Sequence, residues 1–256
     1  MRFVRYQYKA EPVQFGWILD DRVGPVEGTP FGDFRRHELE RHLDEVRLLA
    51  PVLPGKVLCI GRNYIAHALE QNAELPEVPL LFLKPPSSVI GPGQTILLPP
   101  QSQQVEHEGE LVAVIGQRGR WIPPEEAFEY ILGYTVGNDI TARDLQRRDN
   151  QWTRGKGFDT FCPLGPWIET EFDPSDALIT CHVNGALRQM GSTRDMVFSV
   201  RHLIAYASSI MTLEPGDVLL TGTPAGIGPL QPGDIVEVTV EGLGTLTNPV
   251  AAEQAH

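Results

Sequence analysis

Glycine and proline are spread along the whole chain, and this spacing constrains the fold more than any other feature. The 256 residues include 25 glycines and 22 prolines, with Pro-Gly pairs at 54–55, 92–93, 215–216 and 232–233. Both residue types favour turns and interrupt regular structure. The spacing therefore predicts many turns between short strands. Runs with the composition or alternation of strands lie at residues 2–8, 13–19, 56–60, 110–115, 178–184, 217–221 and 235–240.

Helical patterns are few. Apolar residues along one side predict a helix over 33–49, and the run Pro-Pro-Glu-Glu opens a short helix over 123–132. A more apolar helix is predicted to begin at Asp195 or Ser199 and to end at Met211. Few helices among many strands predict a β-rich α+β fold and not a βαβ alternation.

The turn-rich segment 51–55 predicts a domain boundary. Upstream of it lie two or three short strands and one charged helix, too little for a large core. We therefore expect a small N-terminal α/β domain, residues 1–53, followed by a catalytic domain, residues 54–256.

Charge and composition exclude several classes of protein. With 21 basic and 33 acidic residues the net charge is −12, which argues against a nucleic-acid partner. Apolar runs are far shorter than the ~20 residues that span a bilayer, and no secretory signal is apparent at the N-terminus. The three cysteines, Cys59, Cys162 and Cys181, are widely spaced, as is typical of a reducing compartment. We expect a cytoplasmic enzyme without a membrane partner.

Alternating carboxylates form the strongest chemical signal. Glu106, Glu108 and Glu110 begin an apolar β run, and strand geometry places alternate side chains on one face. Asp139 closes another β run and is a candidate third ligand. An all-carboxylate site favours Mg²⁺ or Mn²⁺. The alternative is a solvated acidic strand face.

A histidine and a carboxylate follow the strand predicted at 56–60. His67 and Glu70 are three residues apart, so one helical turn would make them neighbours. A carboxylate beside an imidazole orients it for a role as general base. The alternative is a histidine exposed at a helix start.

A basic cluster follows Asp139 in an otherwise acidic chain. Five basic residues lie within fourteen positions: Arg143, Arg147, Arg148, Arg154 and Lys156. Such a cluster suits an anionic substrate, since arginine binds carboxylates in a bidentate manner. A salt-bridge network in a loop is the alternative.

A glycine-rich loop at 220–228 follows a strand. It lacks the Gly-Lys-Ser/Thr sequence of a phosphate-binding loop. The loop is expected to bring backbone amides and the Thr223 hydroxyl close to a ligand.

Six motifs in order resemble the fumarylacetoacetate hydrolase family, over roughly residues 56–250. They are Gly-x-Asn-Tyr-x-x-His-x-x-Glu, Leu-Phe-Leu-Lys-Pro-Pro-Ser, Glu-x-Glu-Leu, Asn-Asp-x-Thr-Ala-Arg-Asp-x-Gln, Lys-Gly-Phe-Asp and Thr-Gly-Thr-Pro-x-Gly. The resemblance implies a mixed β-sandwich roll, a homodimer, one Mg²⁺ or Mn²⁺ per site and small 2-oxo acid substrates.

The resemblance also assigns roles to residues at matching positions. The family's metal ligands match Glu108, Glu110 and Asp139, and Glu106 then looks like an unrelated neighbour. Catalytic roles match His67, Glu70 and Lys156. Substrate contacts match Arg143, Gln146 and Thr223. The segment 64–79 is similar to the family's mobile lid.

The same ligands serve several reactions in this family. The sequence is most similar to bacterial members of the 2-hydroxyhepta-2,4-diene-1,7-dioate isomerase and decarboxylase type, which act in aromatic catabolism. Acylpyruvate hydrolase and oxaloacetate decarboxylase activities are alternatives. A further alternative is a non-catalytic member that binds a 2-oxo acid.

The sequence does not determine which residues bind the end of the substrate that lies away from the 2-oxo acid group. Arg62 and Arg147 can each bind a second carboxylate of the substrate. Alternatively, they pair with Asp144 and Asp149.

Overall fold

The structure is a computed structural model that describes residues 1–254, and these residues form three β-sheets. The largest sheet has 13 strands, with the main path β4 (Phe34–Arg36), β3 (Arg22–Gly28), β2 (Gln14–Leu19), β1 (Arg2–Gln7), β15 (Cys162–Glu169), β13 (Ile131–Asn138), β12 (Gly109–Ile115), β18 (Val218–Leu220), β7 (Val57–Gly61) and β8 (Leu80–Lys84). Beside this path lie β5 (Arg41–His42), β6 (Arg47–Leu49) and β9 (Val89–Ile90).

The other two sheets are smaller. The five-stranded sheet has the order β10 (Ile96–Leu98), β21 (Gly244–Ala252), β20 (Ile235–Val240), β16 (Leu178–Val183) and β17 (Ala186–Ser192). The three-stranded sheet has the order β14 (Thr141–Ala142), β11 (Val105–His107) and β19 (Gly228–Pro229).

Helices are short and lie between the strands. The α-helices are α1 (Ile65–Glu70), α2 (Arg143–Arg148), α3 (Thr153–Lys156) and α4 (Val200–Ile210). The 3-10 helices are Leu43–Glu45, Pro86–Ser88, Pro124–Tyr130 and Thr193–Asp195. The predicted β-rich α+β fold is confirmed, and so is the helix expected to end at Met211. Within residues 1–254 no helix is long and apolar enough to cross a bilayer.

The helix predicted over residues 33–49 is wrong. This segment contains β4, β5, a single 3-10 turn and β6 instead. Strands β4 and β5 both pair with β3, and β6 pairs with β1. Phe34, which the helix prediction assigned to an apolar helical side, packs edge-on against Phe3 with ring centroids 5.2 Å apart. Hydrogen bonding to strands distant in sequence outweighed the local helical pattern.

The N-terminal region consequently consists of strands and one 3-10 turn, without the predicted α-helix, in the part of the chain that the structure describes. It continues the large sheet, because β1 pairs with β15 through Arg2 opposite Glu169 and Phe3 opposite Ile168. The domain boundary at residue 53 stays a prediction.

Strand β12 lies at the centre of the core. All seven of its residues are buried, as expected for an apolar strand covered on both faces. Leu111, Ala113 and Ile115 belong to one core cluster, whereas Val112 and Val114 belong to a second one on the opposite face. The strand therefore joins the two main layers of the core and fixes the position of the carboxylates at its start.

Asp217 connects the starts of the parallel strands β7 and β18. Its carboxylate lies 2.6 Å from the Lys56 ammonium and accepts hydrogen bonds from the Lys56 amide at 2.9 Å and the Glu214 amide at 2.8 Å. The Asp217 side chain is 1% exposed. Removing it would leave these donors without their acceptor in a place that water reaches poorly.

We expect Asp217→Ala to lower the free energy of unfolding by about 3 kcal/mol, measured by urea denaturation. Asp217→Asn keeps one acceptor oxygen and should lose less. The control is Asp176→Ala, which removes an exposed carboxylate paired with Arg194 and should change stability by about 0.5 kcal/mol or less. Equal midpoints for the two alanine variants would contradict a structural role for Asp217.

Candidate active site

Two neighbouring strands of the large sheet bring three carboxylates together. Strands β12 and β13 are antiparallel, with Gly109 opposite Asn138, so the residues before β12 and after β13 are adjacent. The Asp139 amide donates to the Glu108 carbonyl at 2.8 Å. Oxygen atoms of Glu108, Glu110 and Asp139 lie within 4.8 Å of one another, and all three residues are buried.

Three basic side chains surround this carboxylate cluster. The Lys156 ammonium lies 2.8 Å from Glu108 and 2.6 Å from Asp139. The Lys84 ammonium lies 2.5 Å from the other Asp139 oxygen, and Arg143 contacts Glu108. Sequence reasoning missed Lys84. The sequence feature that could have indicated Lys84 is its position at the end of an apolar strand, directly before two prolines.

The charges in the cluster are unevenly compensated. Burial, together with the nearby Asp139 and Glu108, raises the pKa of Glu110 well above its ordinary value. Burial opposes ionisation of Glu108 too, but Lys156 and Arg143 outweigh it and lower the pKa of Glu108. Burial disfavours the charged Lys156, and Asp139 with Glu108 outweighs it, so the pKa of Lys156 is raised. Glu110 is the carboxylate whose negative charge most needs a further cation.

The donor set fits a hard divalent cation. Every candidate ligand atom is a carboxylate oxygen, the type that Mg²⁺ and Mn²⁺ prefer. The Gly222 amide donates to one oxygen of Glu110 at 2.7 Å and fixes the orientation of the carboxylate. The exposed fractions of Glu108, Glu110 and Asp139 are 4, 2 and 1%, which excludes the alternative of a solvated acidic strand face.

His67 and Glu70 are neighbours on α1, as the spacing predicted. The His67 Nδ1 atom lies 3.4 Å from a Glu70 oxygen, although this contact is not aligned as a hydrogen bond and Nδ1 has no other such partner within residues 1–254. Burial lowers the pKa of His67, which favours the neutral imidazole. The His67 side chain is buried, so the alternative of an exposed histidine is wrong.

Two further contacts involve this helix: one lies against the His67 imidazole, and the other ties the helix to the glycine-rich loop. The Gln71 amide nitrogen lies 3.0 Å from His67 Nε2, and the Gly226 amide donates to Glu70 at 3.0 Å. Gln71 was missed, although its spacing of four residues from His67 was a usable signal. The predicted lid segment thus touches the glycine-rich loop through Glu70. Mobility of the lid stays a prediction.

One pocket brings most of the predicted site residues together. Its walls include His67, the three carboxylates, Arg143, Gln146, Lys156 and Thr223, together with Arg62, Gln71, Phe82 and Trp152. Glu70 is not among the residues that line the pocket and reaches it through His67. Phe82 and Trp152 were not predicted from the sequence. They come from segments 70 residues apart and pack edge to face, with centroids 5.3 Å apart.

Arg143 and Gln146 contact protein groups in this structure. Arg143 Nε donates to Glu106 at 2.7 Å, and one guanidinium nitrogen donates to the Gln146 side-chain oxygen at 2.5 Å. Arg143 is 1% exposed. Glu106, expected to be an unrelated neighbour, is therefore the carboxylate that anchors Arg143 behind Glu108. The substrate contacts expected of Arg143 and Gln146 stay predictions.

Thr223 lies where the glycine-rich loop meets β12. Its hydroxyl donates to the Gly109 carbonyl at 2.8 Å and accepts from Gln189 at 2.7 Å. Gln189 is fully buried and also accepts from the Gly109 amide at 2.9 Å. Sequence reasoning missed Gln189, because nothing in the alternation of β17 distinguishes it. A substrate contact for Thr223 stays a prediction.

The fold and the pocket agree with the family comparison. Residues 56–251 match the family described as Fumarylacetoacetate (FAA) hydrolase C-terminal, and residues 1–51 match the family described as Rv2993c-like, N-terminal. The chain belongs to the fumarylacetoacetate hydrolase family, as the order of the sequence motifs predicted.

Several relatives are similar over most of their length. The 5-carboxymethyl-2-hydroxymuconate delta-isomerase of Mycobacterium smegmatis has a TM-score of 0.93 and 47% identity, covering 99% of this chain and 100% of that one. The 2-hydroxyhepta-2,4-diene-1,7-dioate isomerase of Mycobacterium marinum has a TM-score of 0.93 and 43% identity, with full coverage of both chains. The mitochondrial oxaloacetate tautomerase fahd2 of Xenopus laevis is 46% identical over 231 residues, 85% of this chain and 72% of that protein.

Proposed function

We propose that this chain is a divalent-metal-dependent enzyme that moves a proton at the carbon next to the oxo group of a small 2-oxo acid. The observation that carries this proposal is a buried carboxylate cluster, Glu108, Glu110 and Asp139, in one pocket with the imidazole of His67. Keto–enol and double-bond isomerisation both need an acid–base group beside a site that stabilises an enolate.

The three carboxylates would hold Mg²⁺ or Mn²⁺. When bound, such a cation supplies Lewis acidity toward the oxo group of the substrate. Lys156 places a fixed positive charge against Glu108 and Asp139 and would add to the stabilisation of a developing oxyanion.

Proton transfer is assigned to His67. Its lowered pKa provides the neutral imidazole that a general base requires. Glu70 lies 3.4 Å from Nδ1, so that a protonated imidazole would gain a carboxylate partner. The contact between Glu70 and Gly226 would hold α1 over the pocket during the reaction.

The similar proteins include two named as isomerases and one named as a tautomerase, and isomerisation and tautomerisation both move a proton, which favours this reaction over the alternatives. Of the finer assignments, we propose the 2-hydroxyhepta-2,4-diene-1,7-dioate isomerase type. Hydrolysis of acylpyruvates and decarboxylation of oxaloacetate would use the same carboxylate cluster, but both reactions break a carbon–carbon bond, which isomerisation does not. A non-catalytic binder would not need the buried His67 beside the cluster.

The test uses the enol form of oxaloacetate, whose conversion to the keto form is followed by ultraviolet absorbance and whose products are followed by NMR. We expect ketonisation with Mg²⁺ or Mn²⁺, a fall to the uncatalysed rate with excess EDTA, and recovery when metal is restored. Pyruvate as the main product would favour decarboxylation. Conversion that is unchanged in EDTA would exclude the metal from the mechanism.

A further inference from the structure

Arg62 differs from the other cations of the pocket in having no carboxylate partner within residues 1–254. Lys84, Lys156 and Arg143 each contact a carboxylate of the cluster. Arg62 lines the same pocket, and its Nε atom is shielded from solvent without a hydrogen-bond acceptor in the described part of the chain. A buried guanidinium nitrogen without an acceptor is costly, and a bound anion would satisfy it.

The acids that were candidate partners for Arg62 are engaged elsewhere. Asp144 accepts from the Ser102 hydroxyl at 2.6 Å. Asp149 forms an ion pair with Arg154, with oxygen and nitrogen 2.6 Å apart. Neither carboxylate is available to neutralise Arg62, and the alternative of a simple local ion pair is therefore removed.

The backbone holds Arg62 firmly at the pocket. Arg62 directly follows β7 with a φ of 57°, a left-handed conformation that is unfavourable for arginine and is often found at functional sites. The adjacent Asn63 is fully buried, and its side chain donates to the Phe198 and Thr221 carbonyls at 3.0 and 2.7 Å. This anchor fixes the loop, so the backbone position of Arg62 is set before a substrate binds.

Arg62 also lies between the carboxylate pocket and a larger groove. Arg62, Phe82 and Trp152 line both. The Arg62 guanidinium carbon lies 6.0 Å from the centre of the Trp152 ring. A substrate whose 2-oxo acid end sits at the carboxylate cluster would extend toward this boundary.

We infer that Arg62 binds a second carboxylate at the far end of the substrate and makes the site selective for dicarboxylic 2-oxo acids. The inference rests on the proposed function, which places the 2-oxo acid end at the carboxylate cluster. The planar guanidinium can bind that carboxylate through two parallel hydrogen bonds. Arg147 is exposed and does not line the pocket, so it takes no part.

The experiment compares oxaloacetate enol with its 4-methyl ester, which has the same reacting end without the second charge. For Arg62→Gln we expect kcat/KM on oxaloacetate to fall about 10- to 100-fold and kcat/KM on the ester to change less than about threefold. Arg62→Lys keeps the charge without the planar fork and should recover part of the loss. The control, Arg147→Gln, should leave both substrates unaffected.

Binding provides a readout that does not depend on turnover. Titration calorimetry with 2-oxoglutarate and its 5-methyl ester, with Mg²⁺ present, should show that Arg62→Gln removes the preference for the free acid. Circular dichroism checks that the variant is folded, and Arg62→Gly, which suits the left-handed backbone, should give the same result if Arg62→Gln does not fold.

The outcomes separate this inference from the proposed function. Equal losses on free acid and ester in both assays would overturn the role of Arg62 while leaving the proposed reaction in place. If the wild-type protein converts neither enol, the proposed function fails, and calorimetry alone decides whether Arg62 selects dicarboxylates.

Discussion

Replacing Glu110 by glutamine is expected to abolish divalent-cation binding and to reduce the proposed activity by roughly 1000-fold, equivalent to several kcal/mol of lost transition-state stabilisation. The same substitution should make the metal-free protein more stable. The reason for this gain in stability is that like charges are crowded around Glu110. Burial, Asp139 and Glu108 all raise the pKa of Glu110, which means that they disfavour its ionised form. A neutral glutamine side chain removes this unfavourable interaction from the metal-free protein.

Titration calorimetry with Mn²⁺ and urea unfolding in EDTA measure the two effects. In the wild-type protein added Mn²⁺ should raise the unfolding midpoint, because the cation binds the folded state; in Glu110→Gln it should not. Glu241→Gln removes an exposed carboxylate and serves as the matched control, with both properties unchanged. Retained Mn²⁺ affinity in Glu110→Gln would refute the assignment of this residue as a ligand.

Replacing His67 by alanine is expected to slow proton transfer by about 10²- to 10⁴-fold while Mn²⁺ still binds. The pH dependence of the wild-type rate should also report the protonation of His67. Because burial lowers the pKa of His67, the imidazole stays neutral to a lower pH than an ordinary histidine does, and activity is lost as the pH falls through the lowered pKa. Rates measured in buffers from pH 5 to 8 test this.

Glu70→Gln should have a smaller effect than His67→Ala, since Glu70 contacts the imidazole without lining the pocket. Leu69→Ala is the control on the same helix, because the Leu69 side chain is 69% exposed. Its rate should match the wild type. A His67→Ala variant with full isomerase activity would show that another group moves the proton.

Much of the fold was predictable from local patterns. The strand prediction at 235–240 has the bounds of β20, and the predicted start after Ser199 matches the start of α4. The sequence patterns that predict these elements lie within a few residues of the elements themselves. The helix predicted at 33–49 is wrong because this segment forms strands, and these strands pair with strands that begin 12 to 45 residues earlier.

The carboxylates were predictable for a related reason. Glu108 directly precedes β12 and Glu110 lies within it, so the pair is two positions apart along extended chain. His67 and Glu70 are three residues apart on α1, so one helical turn places them together. Lys84, Gln189 and Trp152 have no such partner nearby in the sequence. Their roles depend on contacts across 34 to 70 residues, which no local periodicity encodes.

The sequence alone determined the fold class, the family and the carboxylates and histidine of the site, because ordered motifs and short-range periodicity are properties of the chain itself. Only the tertiary structure decided which charges are compensated. It paired Arg143 with Glu106 and Glu108, and Arg154 with Asp149, and left Arg62 facing the pocket. Electrostatic pairing depends on distance and burial in three dimensions, so charges close in sequence acquired different partners once the sheets assembled.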